Sequence, residues 1–97
     1  MKLRQLEVFW AIMTTGSATD AAKLLDVSVP AISRVLAHME QSLGYALFDR
    51  RKGRLFPTEE SKRLFQSVDD VYGRVQEIDE LAKRLGQRRK GLLSIVA

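Results

Sequence analysis

A mainly α-helical fold is predicted: three short helices and a two-stranded wing, followed by one long helix. Three observations predict it. Apolar residues recur at helical spacing through the first 44 positions, broken at Gly16 and Gly44. A basic turn, Arg50-Arg51-Lys52-Gly53-Arg54, then separates two short extended runs. From Glu59 to Leu85 no proline interrupts, and apolar residues fall on a 4-3 repeat.

The first helix is expected over Leu3 to Thr15. Leu3, Leu6, Phe9, Trp10 and Met13 stand at steps of three and four and make one apolar face. Gly16 stops it, a usual place for glycine because the chain turns left-handed there. Ser17 then caps a short second helix, with Asp20 in its first turn where a carboxylate suits the positive end of the helix dipole. Ala21 and Ala22 allow another helix to approach closely, and Leu24 and Leu25 are the expected buried contacts.

Asp26 and Val27 make a short connection. Ser28 caps the third helix, and Pro30 is tolerated in its first turn, where its missing N–H would have no partner. Ile32, Leu36, Met39 and Leu43 form a buried stripe that Gly44 ends. Val29, Pro30, Ser33, Arg34 and Ala37 are left facing outward. Strands are expected near Phe48 to Arg50 and Arg54 to Phe56, with Gly53 at the tip; Phe56, preceding Pro57, is biased towards extended geometry.

Thr58 caps the long helix, with Glu59 and Glu60 in its first turn. Leu64, Val68, Val71, Val75, Ile78, Ala82 and Leu85 give an a/d seam over three heptads. About 27 helical residues would reach roughly 40 Å. Gly86 and the basic Arg88-Arg89-Lys90 read as a hinge, and Gly91 to Ala97 as a strand whose partners lie in a further domain. The expected organisation is residues 1–58 as one domain, 59–86 as a dimerising linker helix, and 87–97 as hinge and start of that domain.

Composition narrows the function. Sixteen Lys+Arg against twelve Asp+Glu give a net charge of +4, which suits a polyanionic partner. No cysteine is present, so disulfides and thiolate metal sites are excluded, and the single histidine, His38, has no evident partner for a metal site. No metal, cofactor or catalytic set is expected. There is no paired-carboxylate site, nucleophile–base set or glycine-rich phosphate loop. No apolar run approaches a membrane span and no signal pattern opens the chain, so a cytoplasmic protein without membrane contact is expected.

Two helices joined tightly, the second followed by a basic hairpin, make a winged helix-turn-helix. Such a helix fills the major groove and reads base edges with its N-terminal residues. The candidate DNA-binding residues are Ser28, Val29, Pro30, Ser33 and Arg34 in the third helix, with Arg50, Arg51 and Arg54 in the wing. Arg34 can bond a guanine edge or a phosphate, and the wing cations suit phosphates of an adjacent groove. The seam residues Leu64 to Leu85 are the candidate dimerisation surface. On this reading alone a protein-interaction module and a winged-helix repressor of another kind stay open.

The motifs Leu3-Arg4-Gln5-Leu6-Glu7-Val8-Phe9, Gly16 to Leu25, Val27-Ser28-Val29-Pro30-Ala31-Ile32-Ser33-Arg34, Met39-Glu40, Leu43-Gly44 and Leu47-Phe48-Asp49-Arg50 occur in this order. With Thr58 they make the chain resemble LysR-type transcriptional regulators over residues 1 to about 90. The resemblance implies a dimeric or tetrameric regulator that binds double-stranded DNA, with paired linker helices. A small-molecule effector would be sensed in a separate effector-binding domain, whose first strand Gly91 to Ala97 resembles. DNA contacts carry over to Pro30, Ser33 and Arg34, and a wing contact to Arg51 or Arg54. The chain departs from the family in Val29, commonly glutamine, and in Ser61, commonly glycine at the start of the linker helix.

Overall fold

A computed structural model describes the backbone of residues 1–96 and the side chains of residues 1–88; Ala97 lies outside the described residues. Its elements are α1 (Leu3–Thr15), α2 (Ala18–Leu25), α3 (Val29–Leu43), β1 (Phe48–Arg51), β2 (Arg54–Pro57) and α4 (Glu59–Val96). The helix starts and stops are local chemistry. Ser17 Oγ accepts from the Asp20 amide at 3.0 Å and Ser28 Oγ from the Ala31 amide at 3.2 Å. Each bond satisfies an amide that the first helical turn leaves unpaired. Gly16 and Gly44 close α1 and α3 in the left-handed region, at φ 89° and 84°.

Three helices pack around Phe9. Val8, Phe9, Ala11 and Ile12 of α1, Ala21 and Ala22 of α2, and Ile32, Leu36 and Met39 of α3 are buried, with Leu47, Phe48 and Val68 completing the core. Phe9 meets Phe48 at 6.0 Å and Phe65 edge-on at 6.4 Å between ring centroids, so one side chain ties α1 to β1 and α4. Burying such a ring is worth about 1.5–3 kcal/mol. The core face of α1 is therefore rotated from the expected one. Leu3 is 75 % exposed, while Val8 and Ile12, absent from the expected stripe, are sealed. Leu24 is likewise exposed rather than buried; Ala21 and Ala22 bring α2 so close to α1 and α3 that its core contact falls on them.

The hairpin is short and regular. Phe48 pairs with Pro57, Asp49 with Phe56, Arg50 with Leu55 and Arg51 with Arg54. Its two tip residues, Lys52 and Gly53, both have positive φ (51° and 75°), as a two-residue hairpin turn whose twist matches the strands requires. Glu40 of α3 fixes where β1 begins: its Oε2 accepts from the Leu47 amide at 2.6 Å and from the Phe48 amide at 3.4 Å.

The start of α4 is built on one carbonyl. Leu47 C=O accepts from the Thr58 amide at 3.0 Å and from the buried Ser61 hydroxyl, with Thr58 Oγ1 3.2 Å away. Thr58 Oγ1 also accepts from the Ser61 amide at 3.3 Å, the expected cap. The expected stop at Gly86 is not observed. α4 runs through it to Val96, and the extended run expected from Gly91 onwards is helical as far as Val96. The reason is backbone accounting: a lone strand leaves its amides and carbonyls without ladder partners, whereas a helix pairs them internally. A glycine in a helix costs only about 1 kcal/mol, too little to force an end.

Candidate nucleic-acid interface

α2 and α3 meet through Asp26, Val27 and Ser28. Asp26 is held left-handed at φ 56°, its amide donating to Lys23 C=O at 3.3 Å, and the Val27 amide reaches Ala22 C=O at 3.0 Å. Aspartate is one of the few non-glycine residues that enters this region readily. The chain thereby reverses in three residues and presents the first turns of α3 outward.

The structure brings the candidate residues of α3 onto one face. Ser28, Val29, Pro30 and Arg34 are exposed and Ser33 is half-buried. The Ser28 oxygen accepts one bond as the helix cap, which leaves its hydroxyl proton and one lone pair to offer. Val29 presents an uncovered isopropyl group, 39 % exposed, at the leading edge. Pro30 and Ala37 occupy the middle of this face and keep it low enough for a close approach.

The wing arginines are not equivalent. Arg51 lies 3.6 Å from Asp49 Oδ2, and its guanidinium stands over the Phe56 ring at 5.6 Å. Both contacts are solvent-exposed and individually weak, and they incline the Arg51 guanidinium towards its own hairpin. Arg50 and Arg54, by contrast, line an open cleft between wing and α3 together with Ser33, Gly53 and Leu55. Cations and a hydroxyl thus converge where a backbone phosphate could sit beside a helix placed in a groove. The distinction between Arg51 and the other two was invisible in the sequence, because it depends on which side chains the pleat sets side by side.

α4 stands on this head through α1. Trp10 stacks on Tyr72, and Trp10 Nε1 donates to Asp69 Oδ1 at 3.0 Å. The seam expected for pairing divides here. Val68 is buried in the domain's own core and Leu64 packs against that core, so these two face inward. Val71, Val75, Ile78 and Leu85 are 46–66 % exposed, Ala82 is exposed among them, and Leu81, not in the expected seam, joins the row at 47 %. Leu3 and Leu6 of α1 extend it through an apolar depression that they share with Val71, Tyr72 and Val75. Among the described residues no group of His, Asp or Glu is arranged to hold a metal ion, and no helix is long and apolar enough to cross a membrane.

Comparison with known proteins agrees with this geometry. Over 95 residues the chain is 48% identical to the HTH-type transcriptional regulator DgcR of Pseudoalteromonas sp, covering 98% of this chain and 33% of that protein. It is 44% identical to the transcriptional activator protein LysR of Escherichia coli, covering 98% and 30%. The chain therefore spans about a third of the length of these relatives. Among solved structures, the BenM_DBD/benA site 1 DNA complex is similar with a TM-score of 0.75 at 29% identity, covering 89% of this chain and 97% of that one. Corynebacterium glutamicum OxyR C206 mutant is similar with a TM-score of 0.77 at 26% identity, over 84% of this chain and 26% of that one. Residues 3–62 match the family model described as bacterial regulatory helix-turn-helix protein, lysR family. With that match spanning more than half of the chain, from α1 into α4, the protein belongs to the LysR family of bacterial helix-turn-helix regulators.

Proposed function

We propose that this chain is the DNA-reading and subunit-pairing part of a LysR-type transcriptional regulator. The observation that carries the reading is the bare N-terminal face of α3, bounded by Arg34 and by the cleft that Arg50 and Arg54 line. α3 enters the major groove. Val29, Pro30, Ser33 and Arg34 approach base edges, Ser28 stands at the groove wall, and the wing cations hold flanking phosphates. Arg54 and Arg50 carry more of the wing contact than Arg51, whose charge is already engaged by Asp49. The similarity to a solved DNA complex supports DNA as the partner.

Pairing rests on the row from Val71 to Leu85, an apolar stripe too long to stay uncovered on a solvated helix. Two copies related by a two-fold axis read an inverted repeat, with half-sites about one helical turn, or a multiple of it, apart. Residues 1–58 recognise DNA and α4 from Glu59 onwards pairs subunits. Residues 87–97 lead towards an effector-binding domain, where a small molecule is sensed and where tetramers are built. The protein works in the cytoplasm and is not an enzyme.

Selection of bound duplexes from a random DNA pool tests the reading. The expected result is an enriched inverted repeat whose affinity falls steeply with salt. A chain that enriches no sequence and binds independently of salt would overturn it.

A further inference from the structure

The flank of α3 that faces away from the wing has a cleft of its own. It holds about 220 Å³ and is lined by Lys2, Arg4 and Gln5 of the first turn of α1 and its approach, and by Arg34, Val35 and His38 of α3. Arg34 and His38 are one helical turn apart, so both side chains lean over the same flank. Three of these groups are permanent cations, and the imidazole is an N–H donor in either ring state. No carboxylate stands in the lining; Glu7 lies beside it only as the partner of Arg4. Among the described residues neither Lys2 nor Arg34 is in a salt bridge. The Lys2 amide donates to Gln5 Oε1 at 3.1 Å, which holds the first turn of α1 closed under the cleft.

We infer that this cleft seats a phosphodiester of the DNA strand running along the flank of α3 opposite the wing. The inference rests on the DNA-binding reading and extends it to a second backbone. A helix with its side chains is about 10–12 Å across and the major groove about 12 Å wide. A helix lying in the groove therefore has one sugar-phosphate strand along each side. On one side Arg50 and Arg54 meet a strand; on the other Lys2 and the imidazole N–H of His38 face the second strand, with Arg34 on the edge of the cleft nearer the bases. Lys2 and His38 are then positioning contacts that clamp the helix in register, with no part in choosing bases. Arg4 is held by Glu7 and frames the cleft. The sequence offered no sign of the site, since Lys2 and His38 are 36 positions apart and join only where α1 crosses α3.

The test uses the whole chain and its selected duplex. The Lys2→Ala, His38→Ala double variant should keep the wild-type sequence preference while the slope of log affinity against log salt falls by about 0.9. Replacing single phosphates by uncharged methylphosphonates should find one position per half-site that weakens the wild type roughly tenfold and leaves this variant unaffected. The Lys2→Arg, His38→Gln variant, which keeps the lysine's charge and an N–H donor at position 38, should retain the wild-type slope, and thermal unfolding should confirm that all three proteins fold alike. An alanine variant with the wild-type slope, or with the wild-type response at every neutralised phosphate, overturns the inference. Inorganic phosphate that shifts the His38 ring resonances when no DNA phosphate shows the effect would overturn the assignment to DNA. Wild-type protein that binds no duplex at all overturns the broader reading as well, and is thereby distinguishable.

Discussion

Trp10 lies flat against Tyr72, ring centroids 4.0 Å apart and planes 17° from parallel. The contact crosses from α1 to α4 and is locked by the Trp10 indole N–H on Asp69 at 3.0 Å. Stacked aromatic pairs contribute about 0.5–1.5 kcal/mol beyond their burial. A double-mutant cycle of Trp10→Ala and Tyr72→Ala, followed by chemical denaturation, should return a coupling of about 1 kcal/mol. Strict additivity would show that the rings merely share a surface.

The asymmetry of the wing gives a second expectation. Arg54→Ala should weaken binding to most duplexes and lower the salt slope by about 0.9, one phosphate contact. Arg51→Ala should change the slope less, because Asp49 and Phe56 already hold that guanidinium. Salt titrations of both variants decide it; a larger loss for Arg51 would reverse the assignment.

Val29 gives the third. A valine cannot make the two-bond contact that glutamine makes with adenine, but it can pack on a thymine methyl. Val29→Gln should therefore alter the preferred base at one or two positions of each half-site, with differences of about 1–3 kcal/mol. Selection experiments on both proteins would reveal it, and identical profiles would reduce Val29 to a helix-start residue.

Pairing of subunits gives the fourth. Val71→Asp with Ile78→Asp puts two charges into the exposed row while sparing Val68 and the core. Sedimentation should show a dimeric wild type and a monomeric variant at micromolar concentration. A wild type that sediments as a monomer and binds a half-site as tightly as an inverted repeat rejects the paired arrangement.

The turn between α2 and α3 gives the last. Asp26 sits at φ 56°, where a β-branched side chain clashes with its own backbone. Asp26→Val should lower stability by about 1–2 kcal/mol, whereas Asp26→Asn should be nearly neutral. Urea unfolding of the two variants separates backbone strain from loss of the carboxylate charge.

Much of this architecture is legible in the sequence for simple reasons. Ser17, Ser28 and Thr58 act on amides three residues away, and Gly16 and Gly44 act on their own φ, so local order suffices to place them. What escapes is whatever depends on neighbours distant in sequence. Nearly every side of α1 carries an apolar residue, so its spacing cannot say that Val8 and Ile12 are sealed while Leu3 is not. Ser61 reads as a minor change at a helix start; it is buried, and its hydroxyl joins α4 to Leu47. Glu40 enters the sequence reading only as part of a family motif, with no contact assigned, yet it holds the amides that begin the wing. In the candidate site the reading helix was visible from capping and periodicity. The division of labour among the wing arginines was not, because it is fixed by strand register and by the ring of Phe56.

The unbroken course of α4 has a mechanical meaning. A helix of 38 residues is roughly 57 Å long and is interrupted by no proline. It is anchored at one end by Trp10, Tyr72 and Ser61, so it behaves as a lever with its fulcrum on the reading head. Beyond Tyr72 the free arm is about 36 Å, so a rotation of one degree at the fulcrum carries the far tip about 0.6 Å, on the length given by the helical rise. Force applied at the tip is correspondingly multiplied at the base. A displacement of the tip would thus be felt at α3 as a small change of angle.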